Sequence, residues 1–153
     1  MSDAGFDQPI EGRFAGAEHR LPVRVYFEDT DLSGVVYHAN YLRFMERARS
    51  DMLRLAGIDQ RARFEAGEGA YAVASLAIRY AAPARLDDAL VVVSTLTAVR
   101  AASVAIHQRV MRDALVLAEA DVVAALVAPD GRPKRQPRGW TDIYERLIAQ
   151  GAA

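Results

Sequence analysis

The sequence predicts an α+β fold in which one long amphipathic helix is followed by an antiparallel sheet. Apolar residues spaced three and four apart between positions 41 and 55 indicate the helix. Four β-rich segments follow, and only a few residues separate the last three of them. Such short breaks join antiparallel neighbours, because a parallel crossover requires about a dozen residues or more.

The first 20 residues are expected to form a flexible N-terminal tail, and residues 21–153 a single domain. The tail contains three glycines, one proline and four acidic residues without a sustained apolar period. A chain of 153 residues suits one domain with a substantial core. From Pro22 an alternating segment predicts the first strand, with Val23, Val25 and Phe27 on one face.

The long helix is predicted over residues 39–56. Its apolar stripe should lie against the sheet, and Gly57 suits the left-handed residue that often follows a helix. The stripe consists of Tyr41, Met45, Ala48, Met52 and Leu55.

Four further strands are predicted over residues 71–80, 89–100, 103–112 and 115–128. After them, Pro133, Pro137 and Gly139 interrupt the strand pattern. A C-terminal helix or turn should then dock on the domain through one apolar side. That side consists of Trp140, Ile143, Tyr144 and Leu147.

The composition excludes several classes of function. Nineteen basic residues are balanced by 20 acidic ones, for a net charge of -1, which argues against nonspecific nucleic-acid binding. The chain has no cysteine, so disulfides, thiolate metal sites and a cysteine nucleophile are excluded, and three scattered histidines do not suggest a zinc site. Charges interrupt every apolar stretch, so we expect no membrane span and a cytoplasmic protein.

An acidic turn precedes the long helix, where residues 28–41 read EDTDLSGVVYHANY. A helix N-terminus carries unpaired backbone N–H groups and a partial positive charge. It can therefore hold an oxygen that gains negative charge during a reaction. A carboxylate beside such a terminus suits acyl transfer.

This turn and three further motifs closely resemble a known family. The motifs are YLRFMERAR at 41–49, YAAPARLDD at 80–88 and PDGRP at 129–133. From Pro22 onward the chain resembles acyl-CoA thioesterases of the 4-hydroxybenzoyl-CoA thioesterase class of the hotdog-fold superfamily, and within it the Tol-Pal-associated branch. The resemblance implies a sheet wrapped around one central helix. It also implies hydrolysis of an acyl-CoA thioester to a carboxylic acid and free coenzyme A, with no metal or redox cofactor.

Within this resemblance, Asp31 matches the catalytic aspartate of the family. It is expected to attack the thioester carbonyl directly or to act as the general base for water, and the sequence does not separate these routes. The alternative is an ordinary turn or helix-capping aspartate. Its neighbours Glu28 and Asp29 crowd it with negative charge, but the effect on its pKa depends on burial and on nearby positive groups.

His38 matches a histidine typical of the Tol-Pal-associated branch, and it is predicted to orient water, substrate or the leaving thiol. The alternative is a hydrogen-bonded histidine at a helix end. The backbone N–H near His38 is the expected donor to the thioester oxygen. His19, in the predicted tail, and His107, in a predicted strand, are expected to have no catalytic role.

Basic residues near the ends of the late strands are candidates for contacts with coenzyme A phosphates, or else ordinary solvated charges. They are Arg100, Arg109, Arg112, Lys134 and Arg135.

The leading hypothesis is therefore an acyl-CoA thioesterase, with acyl-CoA or an acyl-carrier protein as its partner. The alternative is a noncatalytic acyl-CoA or acyl-carrier-protein binding module on the same scaffold, because fold alone does not determine activity. The resemblance further implies a homodimer or homotetramer. The apolar segment at residues 90–93 is compatible with subunit pairing, but periodicity does not identify which edge associates.

Overall fold

A six-stranded antiparallel sheet lies against one 18-residue helix in the computed structural model, which describes residues 3–152. The strands are β1 (Arg13–Ala15), β2 (Glu18–Arg24), β3 (Ala70–Tyr80), β4 (Ala89–Val99), β5 (Ser103–Arg112) and β6 (Leu115–Val127). The helices are α1 (His38–Leu55), α2 (Gln60–Glu65) and α3 (Arg138–Ala152). The predicted α+β class is confirmed, and each of the four later strands lies within one residue of its predicted bounds.

The strand order is β1-β2-β4-β5-β6-β3, so β3 forms the edge farthest from β1. Register shifts occur in all three pairings that involve β5 or β6. Such bulges bend a sheet. They allow this sheet to curve around α1.

The predicted stripe on α1 largely forms the core. Four of its five residues, from Tyr41 to Met52, are buried. Leu55, in the last turn, remains 36% exposed because the helix ends there. On the sheet side, Val92, Val110 and Val122 pack into the same core.

The first strand differs from the prediction. Val23 and Val25 are buried as expected, but Phe27 is 82% exposed in a 3-10 helix over Phe27–Asp29. The reason is local, because the Asp29 carboxylate accepts a hydrogen bond from the Tyr26 backbone N–H at 2.8 Å. This contact turns the chain before the alternation reaches Phe27.

The structure also differs from the prediction of a flexible tail over residues 1–20, of which residues 3–20 are described. This region contains a 3-10 helix over Asp3–Asp7, strand β1 and the first residues of β2. His19, in this region, is completely buried, and its Nε2 lies 2.6 Å from Oδ2 of Asp51 on α1. Backbone pairing and this buried contact organise a segment that lacks an apolar period, while Met1 and Ser2 lie outside the described residues.

The predicted C-terminal helix is confirmed as α3, which packs against β4 with Trp140 and Tyr144 buried. The Tyr144 hydroxyl lies 2.8 Å from that of Tyr71 on β3. The apolar segment at residues 90–93 belongs to β4, which β2 and β5 flank on both sides. It is therefore not an edge available to a second subunit.

The helices of residues 3–152 include none that is both long and apolar enough to cross a membrane.

Candidate active site

The acidic turn forms a tight loop between the 3-10 helix at Phe27–Asp29 and α1. The Asp31 backbone N–H donates to the Val35 carbonyl at 2.9 Å, and the Gly34 N–H donates to the Asp31 carbonyl at 3.0 Å. Gly34 adopts a φ of 82°, a left-handed conformation that favours glycine. The loop thus presents Asp31 just before the helix N-terminus.

Asp31 is solvent-exposed and is stabilised in its charged form. Its Oδ1 accepts hydrogen bonds from the Ser33 hydroxyl and, at 2.9 Å, from the Ser33 backbone N–H. The Ser33 hydroxyl, followed by the Ser33 N–H, lowers the pKa of Asp31, with a smaller contribution from the charge of His38. The crowding by neighbouring acids therefore does not raise the pKa of Asp31, which suits a group that acts as a carboxylate.

His38 is the first residue of α1 and lies close enough to influence Asp31. Its ring stacks on Tyr37 with the centroids 4.5 Å apart and meets the edge of Tyr80 at 6.3 Å. The Tyr80 hydroxyl donates to the His38 carbonyl at 2.8 Å. The structure thus brings the two predicted site residues together and adds Tyr80, from the end of edge strand β3.

The N-terminus of α1 is free to accept a negatively charged oxygen. Tyr37, at the N-cap, makes no side-chain cap, and the first turn contains no acidic residue. Among the described residues, the His38 backbone N–H has no hydrogen-bond acceptor. The unpaired N–H and the helix dipole both favour negative charge at this point.

A buried pair that sequence reasoning missed joins the turn to the helix. Asp29 accepts from the Asn40 side-chain amide through Oδ1 and from the Tyr26 N–H through Oδ2, each at 2.8 Å. The Asp29 carbonyl also accepts from the Tyr37 N–H at 2.9 Å. Asn40 lies four residues before Phe44, so both residues lie on the same buried face of α1. This helical spacing is the signal that could have predicted a buried amide in need of a hydrogen-bond partner.

A second loop, residues 81–88, packs beside the turn. The Val36 N–H donates to the Ala84 carbonyl at 2.8 Å, and the Ala84 N–H donates to the Tyr41 hydroxyl at 3.0 Å. At the end of this loop, Asp88 accepts from Arg112 at 2.8 Å. The Arg85 backbone N–H, and then Arg112, lower the pKa of Asp88. The loop is therefore held to the turn and to β5.

Most of the basic residues considered for coenzyme A lie toward two opposite ends of the sheet, whereas Arg109 lies within β5. Arg112, at the end of β5, is on the side of Tyr80 and the acidic turn. Arg100 and Lys134 lie near the opposite end, where the Lys134 N–H donates to the Leu126 carbonyl. Arg109 pairs with Glu18. Of this set, Arg112 has the position best suited to a substrate at Asp31.

The two remaining histidines take part in other contacts. His19 pairs with Asp51 inside the protein, and the two ring nitrogens of His107 lie 2.8 Å from Glu119 and 2.9 Å from Asp121 on the sheet surface. Within residues 3–152, no cluster of His and acidic side chains has the arrangement of a metal site. None of these contacts involves Asp31.

Comparisons with known proteins show which family the chain resembles. A family model described as a thioesterase-like superfamily matches residues 25–144. The chain is 47% identical over 107 residues to acyl-CoA thioesterase YbgC of Haemophilus influenzae, covering 70% of this chain and 79% of that protein. It is 43% identical over 121 residues to acyl-CoA thioester hydrolase YbgC of Escherichia coli, covering 78% and 90%. A crystal structure of a probable thioesterase from Bartonella henselae superimposes with a TM-score of 0.74 at 34% identity, covering 78% of this chain and 99% of that chain.

Proposed function

The chain belongs to the thioesterase-like superfamily and is a thioester hydrolase of the hotdog fold; from this premise we propose that Asp31 carries out hydrolysis of an acyl-CoA thioester. The reaction yields a carboxylic acid and free coenzyme A. The observation that carries the proposal is the exposed Asp31 carboxylate, which accepts hydrogen bonds from Ser33 and precedes an uncapped helix N-terminus. The neighbouring Asp29 does not offer a free carboxylate, because it is buried and already bonded through both oxygens.

Two routes are open to Asp31. As a nucleophile, its oxygen forms a bond to the thioester carbon, the C–S bond breaks, and water then cleaves the resulting anhydride. As a general base, it takes a proton from water while the water oxygen attacks the same carbon. In both routes coenzyme A leaves as a thiolate that takes up a proton, and one water molecule is consumed.

The His38 backbone N–H is proposed as the donor to the carbonyl oxygen, which becomes negatively charged in either route. The helix dipole reinforces such a donor. The His38 imidazole, held between Tyr37 and Tyr80, is proposed to orient water or the leaving sulfur. This histidine also supports assignment to the Tol-Pal-associated branch of the 4-hydroxybenzoyl-CoA thioesterase class.

The partners follow from the same proposal. An acyl-CoA is the substrate, and an acyl-carrier protein is the alternative acyl donor. We further propose a cytoplasmic homodimer or homotetramer. The supporting feature for assembly is β3, an 11-residue edge strand that is largely exposed and carries small or apolar side chains at most positions, with Arg79 as its one charged residue.

The first test is thiol release from short, long and aromatic acyl-CoAs by wild type and by Asp31→Asn. The substitution keeps the shape of the side chain but removes its negative charge, so activity should fall by at least about 100-fold. Glu28→Gln, an exposed acid in the same turn, is the matched control and should retain wild-type activity. Full activity in a folded Asp31→Asn protein would remove Asp31 from the reaction.

A further inference from the structure

Among the described residues, a buried arginine on α1 hydrogen-bonds only to a neutral acceptor. Arg49 is 8% exposed, and its Nη1 donates to Oε1 of Gln108 at 2.9 Å. Gln108 is completely buried, and its Nε2 donates to the Met45 carbonyl and to the Ser94 hydroxyl, each at 2.9 Å. These two bonds hold the Gln108 oxygen toward the guanidinium.

The charge of Arg49 is not neutralised by a salt bridge with any of the described residues. Burial lowers the pKa of Arg49, and the charge of Glu46, one helical turn away, opposes this effect. A buried charge without a bonded counter-ion is unfavourable, although arginine remains protonated in proteins. Binding of an anion to the guanidinium would therefore be favourable.

A cavity of about 90 Å³ lies against Arg49, between α1, β3 and the inner faces of β5 and β6. This volume accommodates several water molecules or one small polar group. Leu53 and Ile106 contribute apolar walls, while Ser50 and Gln60 contribute neutral polar groups. Exposed Val73 lies on the β3 side, so the cavity meets the surface beside the edge strand.

We propose that this cavity binds the carboxylate of a short organic acid through Arg49. A guanidinium presents a planar set of donors that matches a carboxylate, and the apolar walls suit a short hydrocarbon body. Glu46 also lines the cavity, and its negative charge disfavours a dianion such as phosphate more strongly than a monoanion. A singly charged carboxylate is therefore the chemistry that fits best.

The cavity is separate from Asp31 within one chain. Arg49 follows His38 by 11 residues on α1, which corresponds to about 16 Å along a helix. The carboxylate has two sources: the acid released by thioester hydrolysis, or a carboxyl group at the far end of the acyl chain. The identity of the source rests on the proposed function, whereas binding itself does not.

The test is a titration of the folded protein with butyrate, followed by two-dimensional NMR, with butanol as the uncharged probe. Wild type should bind butyrate and not butanol. Arg49→Gln should weaken binding by about tenfold or more, because a charged hydrogen-bond donor is lost. Arg47→Gln removes an exposed charge from the same helix and should bind as wild type.

Two further variants separate the anion site from a folding defect. Arg49→Lys keeps the positive charge and should retain part of the affinity. Ala124→Leu fills the cavity from the opposite wall without changing Arg49, and should abolish binding. Absence of butyrate binding to wild type, or equal binding by wild type and Arg49→Gln, would overturn the proposal. A third outcome would also overturn the proposal: wild type does not bind butyrate, and Arg49→Gln no longer assembles. That result would mean that a second copy of the chain supplies the counter-ion of Arg49.

Kinetics then identify the source of the carboxylate. If the acyl chain supplies it, the chain must span the roughly 16 Å between the two sites, so Arg49→Gln should raise KM for a long-chain acyl-CoA that ends in a carboxylate but not for the acyl-CoA of equal length that ends in a methyl group. If the released acid supplies it, the variant should relieve inhibition by butyrate with both substrates. Wild type that binds butyrate but hydrolyses neither thioester would refute the proposed function while supporting the carboxylate site.

Discussion

At the scale of single residues, Ser33 determines how readily Asp31 ionises. Its hydroxyl and backbone N–H both donate to one Asp31 oxygen, and together they hold the pKa of Asp31 below its usual value of about 3.9. The carboxylate therefore persists to lower pH than an ordinary aspartate. Any loss of activity that results from protonation of Asp31 should therefore occur at a pH below that usual value.

Ser33→Ala removes the hydroxyl donor and leaves the backbone donor. The pKa of Asp31 should therefore rise toward its usual value, moving the acid limb of kcat/KM to higher pH. NMR titration of the Asp31 carboxyl carbon in both proteins measures this shift directly. An unchanged midpoint would show that the hydroxyl does not stabilise the carboxylate in solution.

Asp29 and Asn40 act on the geometry of the turn. In Asp29→Asn, an NH2 group replaces one of the two carboxylate oxygens. This group would face another donor, either the Asn40 side-chain amide or the Tyr26 N–H, so one hydrogen bond is lost. We expect kcat for thioester hydrolysis to fall by about tenfold, because a small displacement of Asp31 impairs its alignment. Steady-state kinetics, with circular dichroism as the check of folding, provide the measurement.

The exchange variant Asp29→Asn with Asn40→Asp is the control for this pair. It restores a carboxylate–amide hydrogen bond between the two positions with reversed polarity. Part of the lost kcat should return if the bond aligns the turn. No recovery in a folded double variant would mean that the bond does not position Asp31.

At the scale of elements, a buried contact joins β2 to α1. The Asp51 carboxylate on α1 lies 2.6 Å from His19 Nε2 and accepts from the Gly12 backbone N–H at 2.9 Å. A Cβ on Gly12 would lie 2.4 Å from the Arg20 carbonyl and 2.8 Å from Asp51, so only glycine fits there. Three parts of the chain therefore meet at Asp51.

Asp51→Ala should lower the free energy of unfolding by about 1–3 kcal/mol, because it leaves the buried His19 ring and the Gly12 N–H without their acceptor. Urea denaturation followed by circular dichroism measures the change. Arg47→Ala, an exposed position on the same helix, should change stability by less than about 0.5 kcal/mol. A similar small change in Asp51→Ala would contradict the structural role of the contact.

At the scale of the whole molecule, the two edges of the sheet differ. β1 has three residues, whereas β3 has 11 and is largely exposed. Ala74 lies at the register shift between β3 and β6 and faces solvent. An unprotected edge of this length is a template for pairing with another strand. The proposed assembly should therefore use β3.

Sedimentation velocity across micromolar concentrations should give a mass at least twice the 16.7 kDa of the chain. Ala74→Lys should shift the protein toward monomer, because pairing two copies would bury or oppose the added charges. Thr97→Lys adds the same charge on β4, away from both edges, and should leave the mass unchanged. A monomeric wild type would contradict the proposed assembly.

The sequence by itself determined the elements whose pattern is local. The α1 stripe, the four later strands and the docked α3 all follow from periodicity and short breaks, since these depend on neighbouring residues. Motif resemblance identified Asp31 and His38, and the structure brings them together at one helix end. Their catalytic roles remain proposals that the variants above test.

Only the tertiary structure decided what depends on contacts between distant residues. Strands β1 and β2 have no strong local pattern in the region predicted as a tail, and they form because β2 pairs with β4 and His19 meets Asp51. Likewise, Asp29 finds Asn40 and Arg49 finds Gln108 only when the helix lies on the turn and the sheet. Burial and partners arise from three-dimensional packing, so local spacing does not encode them individually.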